Sequence, residues 1–311
     1  MCATNVLIGC LYASISALCL PLYMVIIYIF LSTQSYRKLA SYQLMTHLGA
    51  VDCLQLVVHF YSGIAAICGT NFGDVLEDIL GGLANAAWIA MIMMVLTLAV
   101  NRLEVVGGVK FVPFLSPTKL YNLLACLCWA FGGVFFNFYA LSKAGMKYSM
   151  ENFYWSLEGD ETLVDTLSNA ETFSTIPALV VTFFIYVLIA GVILVKKKSF
   201  VKDKKVVSSH EVRLVVQAFV IFVYTSVVIC CWHWGDRFLP HSFWTPIVIN
   251  TLWILENGAL TPALYLVMNV AIRRRFIAIV LCRKESHLFS RSKSTKVGVV
   301  TASANPSRTH I

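Results

Sequence analysis

The chain has 311 residues, 59% of them hydrophobic and only 13% charged, with a mean hydropathy of +0.76. Soluble domains are about 45–50% apolar and about 25% charged, so this composition excludes a soluble globular domain as the main body and points to a membrane protein. The formal net charge of +8 is distributed as a membrane protein's cytoplasmic bias and is not a nucleic-acid signal.

A spanning helix needs about 20 mostly apolar residues. Seven stretches meet that need, at 6–31, 40–66, 79–105, 118–141, 173–195, 212–234 and 243–268. The first has no Lys or Arg before Arg37, so it lacks the positive region of a cleavable signal peptide and reads as a retained helix. The loops between spans fall into two groups. One holds 21 of the 24 Lys and Arg, among them Arg37, Lys38, Lys110, Lys119, the run Lys196 to Lys205, and every basic residue from Arg273 onward. The other holds only Lys143, Lys147 and Arg237, with ten of the 16 acids, Glu171 counted among them as part of a loop at 142–172. Basic residues favour the cytoplasm. The expected topology is a plasma-membrane protein with its N-terminus outside and its C-terminus inside.

Along the spans, ionisable residues mark functional candidates, because charge within a bilayer is costly. Asp52 lies in the second span and Glu256 in the seventh. Arg102 closes the third, where snorkelling to the headgroups is the alternative role. Pro177 interrupts the fifth span and Pro262 the seventh; each removes a backbone hydrogen bond and bends its helix. The ten cysteines lie mostly inside spans and form no disulfide framework. No Gly-x-Ser-x-Gly, no His-Glu-x-x-His and no pair of intramembrane aspartates is present, so the chain does not read as an enzyme. No cofactor or metal site is indicated; His47 and His59 are too far apart along one span to pair.

The ordered landmarks resemble those of rhodopsin-like G-protein-coupled receptors. Leu-x-x-x-Asp ends at Asp52, and Asn101–Arg102 resembles the Asp-Arg-Tyr motif of the third span. Trp129 matches the tryptophan of the fourth, Pro177 the proline of the fifth and Cys231–Trp232 the Cys-Trp pair of the sixth. Thr261–Pro262–Ala263–Leu264–Tyr265 resembles Asn-Pro-x-x-Tyr. Asn269–Phe276 and Cys282 are similar to the amphipathic eighth helix and its acylated cysteine. SYQLMTHLGAVD, LTLAVNRLEVV and NGALTPALYLVMNVAIRRRF are similar to the nematode serpentine chemoreceptors, class T above all.

The resemblance implies an all-α bundle of seven transmembrane helices with a short eighth helix over 1–282, and a disordered cytoplasmic tail at 283–311. It implies a chemosensory receptor that binds a small extracellular molecule and activates a heterotrimeric G-protein. Asn101, Arg102, Pro262 and Tyr265 would carry activation, and Asp52, Asn257, Thr261 and Glu256 a mid-bundle polar site. Met91 stands where a hydroxyl ligand would complete a sodium site, so a protonated or water-bonded Asp52 is favoured there. The ligand would meet Asn85, Trp88, Thr175, Trp232 and His233, with helix packing as the alternative for each. Ala84 replaces the aspartate of amine receptors, which disfavours a charged amine, and the seventh span lacks the lysine that retinal needs. Cys282 would be lipidated, and the basic loop at 196–205 would meet the G-protein and anionic lipid. Departures from the family pattern include Leu103 and Asn101 flanking the arginine, Trp234 in place of a proline, and no cysteine pair to tether the second outer loop. That loop is therefore expected to lack its usual rigidity. A ligand-gated odorant channel with the opposite topology and a peptide receptor engaging the acidic loop are the competing readings.

Overall fold

The computed structural model describes residues 2–198 and 209–281. The expectations for Lys202 to Lys205, for Cys282 and for the tail at 283–311 concern residues outside those described. Seven helices are long and apolar enough to cross a membrane. They are α1 (Cys2–Ser32), α3 (Ala40–Cys68), α4 (Asp74–Gly107), α5 (Pro117–Leu141), α6 (Glu161–Lys198), α7 (Ser209–Phe238), and the last span, in which α8 (Trp244–Leu255) is joined to α9 (Thr261–Met268) by a π-helical turn, Glu256–Leu260. One helical turn, α2 (Gln34–Arg37), links α1 to α3, and α10 (Val270–Val280) follows the last span.

Local chemistry sets several of these ends. α3 and α4 stop at Gly69 and Gly108, whose φ of 67° and 73° is the left-handed conformation that terminates a helix. α5 starts where Ser116 caps the first turn and Pro117 enters without an N–H to satisfy. In the last span the interruption expected at Pro262 takes the form of a π-helical turn. Pro262 sits at the start of the resumed α-helix, and the missing N–H is accommodated by the wide turn just before it. Asn269 then caps α10, its side chain accepting from the backbone N–H groups of Ala271 and Ile272.

α4 is the central helix, packed against α3, α5, α6 and α7. Most of its apolar length is buried, whereas α1, α5 and α6 each leave a broad apolar face exposed, as helices facing lipid do. α1 and α3 touch backbone to backbone: a Cβ on Gly63 would lie 2.5 Å from Ala13 N. Lipid supplies little drive for helix association, so such close approach of small residues carries the contact.

Two expectations change at the outer face. The helix of the fifth span begins at Glu161 rather than near 173, so the outer loop is shorter than 142–172. What remains of it is an antiparallel hairpin, β1 (Ala144–Ser149) with β2 (Tyr154–Gly159), a small sheet added to the helical bundle. No cysteine among the described residues is disulfide-bonded, yet the hairpin is tied down. Glu77 accepts from the backbone N–H of Tyr148 (2.8 Å) and from Asn71 Nδ2 (2.7 Å), and Lys147 Nζ meets Asp78 Oδ1 at 2.6 Å. Trp155 is fully buried and donates to Ser62 Oγ at 3.0 Å. Tyr12 donates to the carbonyl of Phe153. The hairpin sits so close to α4 that a Cβ on Gly81 would stand 2.1 Å from the carbonyl oxygen of Met146. The loop is thus rigid for a reason other than a disulfide.

Candidate functional site

The outer half of the bundle encloses a cavity of about 640 Å³, within the range of small-molecule sites. Of the five residues assigned to the ligand pocket, Asn85, Trp232 and His233 line it. Trp88 instead borders a narrow slot shared with Asn85, Val228, Trp232 and Trp253. Thr175 lines neither; it is fully buried and its hydroxyl donates to the carbonyl of Glu171 on its own helix. The hairpin contributes Tyr154 and Trp155 as walls.

Glu171 is the residue that the sequence reading misplaced. It belongs to α6, three turns in from Glu161, and it is buried rather than looped out. Its Oε2 accepts from Asn85 Nδ2 and from the Tyr139 hydroxyl, both at 2.9 Å, and its Oε1 lies 3.8 Å from His233 Nε2. The signal for it was its position four residues before Thr175 and six before Pro177, on a segment that reads as helical once its polar residues are allowed one face. Trp253 was also missed. It meets Trp232 edge-on at 5.3 Å between ring centroids and His59 at 4.7 Å, and donates to Gln55 Oε1 at 2.8 Å.

The mid-bundle group divides. Asp52 is buried and its Oδ2 accepts from the Tyr23 hydroxyl of α1 at 2.6 Å, so its partner is neither Asn257 nor Thr261. Asn257 and Thr261 are buried beside the π-turn, and both polar atoms of the Asn257 side chain lack a protein partner. Glu256 turns the other way and accepts from the Thr225 hydroxyl of α7. Two of the four residues therefore make separate links, Asp52 to α1 and Glu256 to α7. Glu256 and Asn257 are successive positions of the π-turn and so point in different directions around its axis.

At the inner end, a second cavity of about 550 Å³ is lined by Ser41, Tyr42, Asn101, Arg102, Lys110 and Glu211, among others. Arg102 is 2% exposed. Its Nη1 donates to Ser41 Oγ at 2.9 Å, and Ser41 in turn donates to Asn101 Oδ1 at 2.7 Å. Asn101 thus reaches the arginine only through a serine, and Arg102 Nε and Nη2 have no protein partner. Tyr265 is buried against Phe30, ring centroids 5.3 Å apart, and its hydroxyl is without a protein partner. Next to it, Tyr42 accepts from Asn269 Nδ2 at 3.0 Å. The basic exit has separate uses. Arg273 donates to the carbonyls of Leu266 and Val267 at the end of α9, while Arg275 reaches the Thr33 hydroxyl and lies over the Tyr36 ring.

A family model described as "Serpentine type 7TM GPCR chemoreceptor Srt" matches residues 2–288. Among solved structures, the crystal structure of squid rhodopsin superposes with a TM-score of 0.71 at 13% identity, covering 96% of this chain and 93% of that one. At that identity the likeness concerns the fold. No curated protein sequence matches the chain.

Proposed function

Because the chain belongs to the Srt family of serpentine seven-transmembrane chemoreceptors, we propose that it is a plasma-membrane receptor in which a small external molecule in the outer cavity shifts the state of Arg102. The N-terminus lies outside and the C-terminus inside, as the charge bias requires. A heterotrimeric G-protein reads the inner cavity, and the basic approach to it at Lys196 and Lys110 suits anionic lipid and an acidic partner surface.

One observation carries this reading: α4 lines both cavities, through Asn85 outside and Asn101 and Arg102 inside, with polar links to α1 and α7 buried between them. A ligand acts at a distance only by binding one arrangement of such a bundle better than another. The differences can be made at the outer end of α4 and the neighbouring α7, and expressed at the inner end as a change in the partners of Arg102. Asp52, Asn257, Thr261 and Glu256 hold the middle, and Pro262 with its wide turn supplies the place where the last span can bend. Tyr265, packed beside Tyr42 and Phe30, is the side chain that would re-partner with it.

The test is expression in cultured cells with an epitope tag at each terminus and a panel of volatile and pheromone-like molecules. The proposal expects the N-terminal tag to be reached on intact cells and the C-terminal tag only after permeabilisation, with at least one compound raising calcium or cyclic nucleotide through a G-protein. The opposite tag pattern, with a ligand-gated current in place of G-protein turnover, would replace the receptor by the channel.

A further inference from the structure

We infer that the outer cavity takes a ligand bearing a protonated amine, with Glu171 as its carboxylate anchor. The inference rests on the receptor reading above and adds the chemical class of the ligand.

The charge around the cavity is one-sided. Its lining includes two carboxylates, Glu171 and Asp236, and two histidines, and no lysine or arginine. Of the three basic residues on the outer side, Lys147 is held by Asp78 and Glu77, and Lys143 and Arg237 lie outside the lining. A buried carboxylate without a charged partner is costly; among the described residues no lysine or arginine stands against Glu171, and the basic side chain near it is His233.

Its geometry shows where a partner belongs. The two hydrogen bonds from Asn85 and Tyr139 go to the same oxygen, Oε2, and fix the plane of the carboxyl group. Oε1 accepts no hydrogen bond among the described residues. The 3.8 Å to His233 Nε2 is beyond hydrogen-bond reach, and that nitrogen also lacks a protein partner. One oriented oxygen is therefore left for a donor within the cavity. An ammonium group donates to it with the strength of a charged pair, and Trp232 and Tyr154 line the same cavity, aromatic groups of the kind that favour a cation. An anionic ligand meets two carboxylates there and is repelled.

This revises the expectation drawn from Ala84. The acid is missing from the third span, but α6 presents one to the same cavity, where the sequence placed a loop. The carboxylate arrives from α6 and is oriented by α4 through Asn85 and by α5 through Tyr139.

The experiment uses the full chain in lipid nanodiscs, with melting temperature and G-protein turnover as separate readouts. The probes are primary alkyl and arylalkyl amines of about ten heavy atoms, a size suited to such a cavity, 2-phenylethylamine among them, each beside the alcohol of the same skeleton. At least one amine should act on both readouts at a concentration about 30-fold or more below that of its alcohol, the loss expected when one member of a buried charged pair is removed. Glu171→Gln, which keeps the shape and the bonds to Asn85 and Tyr139 in reach, should bring amine and alcohol within about threefold of each other. Equal action of amine and alcohol on the wild type, silence of every amine, or a Glu171→Gln protein that keeps the preference would each overturn the inference. The wild-type comparison decides the matter even where Glu171→Gln does not fold. Alcohols that drive turnover while amines are silent would leave the receptor standing without its amine site. An amine that raises the melting temperature without turnover would keep the site and break the receptor reading.

Discussion

The two ends of the bundle are held in opposite ways. At the outer end, polar groups on the hairpin and on α4 find one another: Glu77 takes the Tyr148 N–H and Asn71, Lys147 takes Asp78, and Trp155 takes Ser62. At the inner end, Arg102 has one side-chain partner, and its Nε and Nη2, with the hydroxyls of Tyr121, Tyr186 and Tyr265, have no protein partner. Buried polar groups are normally paired, and leaving one unpaired costs about 1–3 kcal/mol. Unpaired atoms occur at the outer end too, at Asn71 Oδ1, the Tyr148 hydroxyl and His233 Nε2, but there several cross-links pin the hairpin to α3 and α4, whereas at the inner end the unpaired groups include two nitrogens of Arg102 itself, which can exchange partners. A rigid mouth and a loosely bonded exit are what a receptor requires if ligand shape is to be read at one end and converted into movement at the other.

The comparison can be broken most forcefully at the hairpin. Trp155→Ala removes a fully buried indole and its bond to Ser62, and should lower stability by about 3–5 kcal/mol. Thermal unfolding in nanodiscs measures it. A loss near zero would mean that the hairpin is an ornament on the bundle and not part of its outer wall.

A smaller and opposite kind of change is expected inside. Asn101→Asp offers Arg102 a carboxylate in place of a serine-relayed amide, and a charge-assisted bond is roughly twice as strong as a neutral one. Basal second-messenger output should fall about threefold to tenfold, with surface expression unchanged. Unchanged basal output would show that the sparse bonding of Arg102 does not set the resting balance.

The smallest effect concerns pH. Burial works against the charge of Lys147, but the hydrogen bond and charge of Asp78, with Glu77 and Asp74 behind it, outweigh burial and raise its pKa. A raised lysine pKa adds stability that is complete below the ordinary lysine value of about 10.4 and is lost only as pH rises through the higher folded value. The difference in melting temperature between wild type and Lys147→Met should therefore be the same at about pH 6 and pH 8, and shrink only in strong alkali. A difference that vanished by pH 8 would contradict the assignment of this ion pair.

What could be read in advance follows from which signals are local. The seven spans were legible because apolar length needs no knowledge of packing. Asp52, Arg102, Glu256 and Pro262 announced themselves as polar or helix-breaking residues in apolar surroundings. Glu171 did not, because the first turns of α6, ETLVDTLSNAETFS, are polar enough to resemble a loop when averaged. The hairpin was hidden for a different reason: the contacts that hold it, Glu77 to Tyr148 and Ser62 to Trp155, link residues far apart in sequence. Trp253 was legible as an aromatic in a span, but its place beneath Trp232 depends on how α7 and α8 are rotated. Tyr23, the partner of Asp52, was not legible because it lies in α1, where nothing in the sequence singles it out.

The central claim is that the outer cavity and Arg102 are two ends of one device. Arg102→Ala in the nanodisc-embedded full chain tests it most directly, with melting temperature and G-protein turnover measured against an active compound. The account predicts that the compound still raises the melting temperature of the variant while turnover falls to the unstimulated level. Turnover that survives the loss of Arg102 would contradict it.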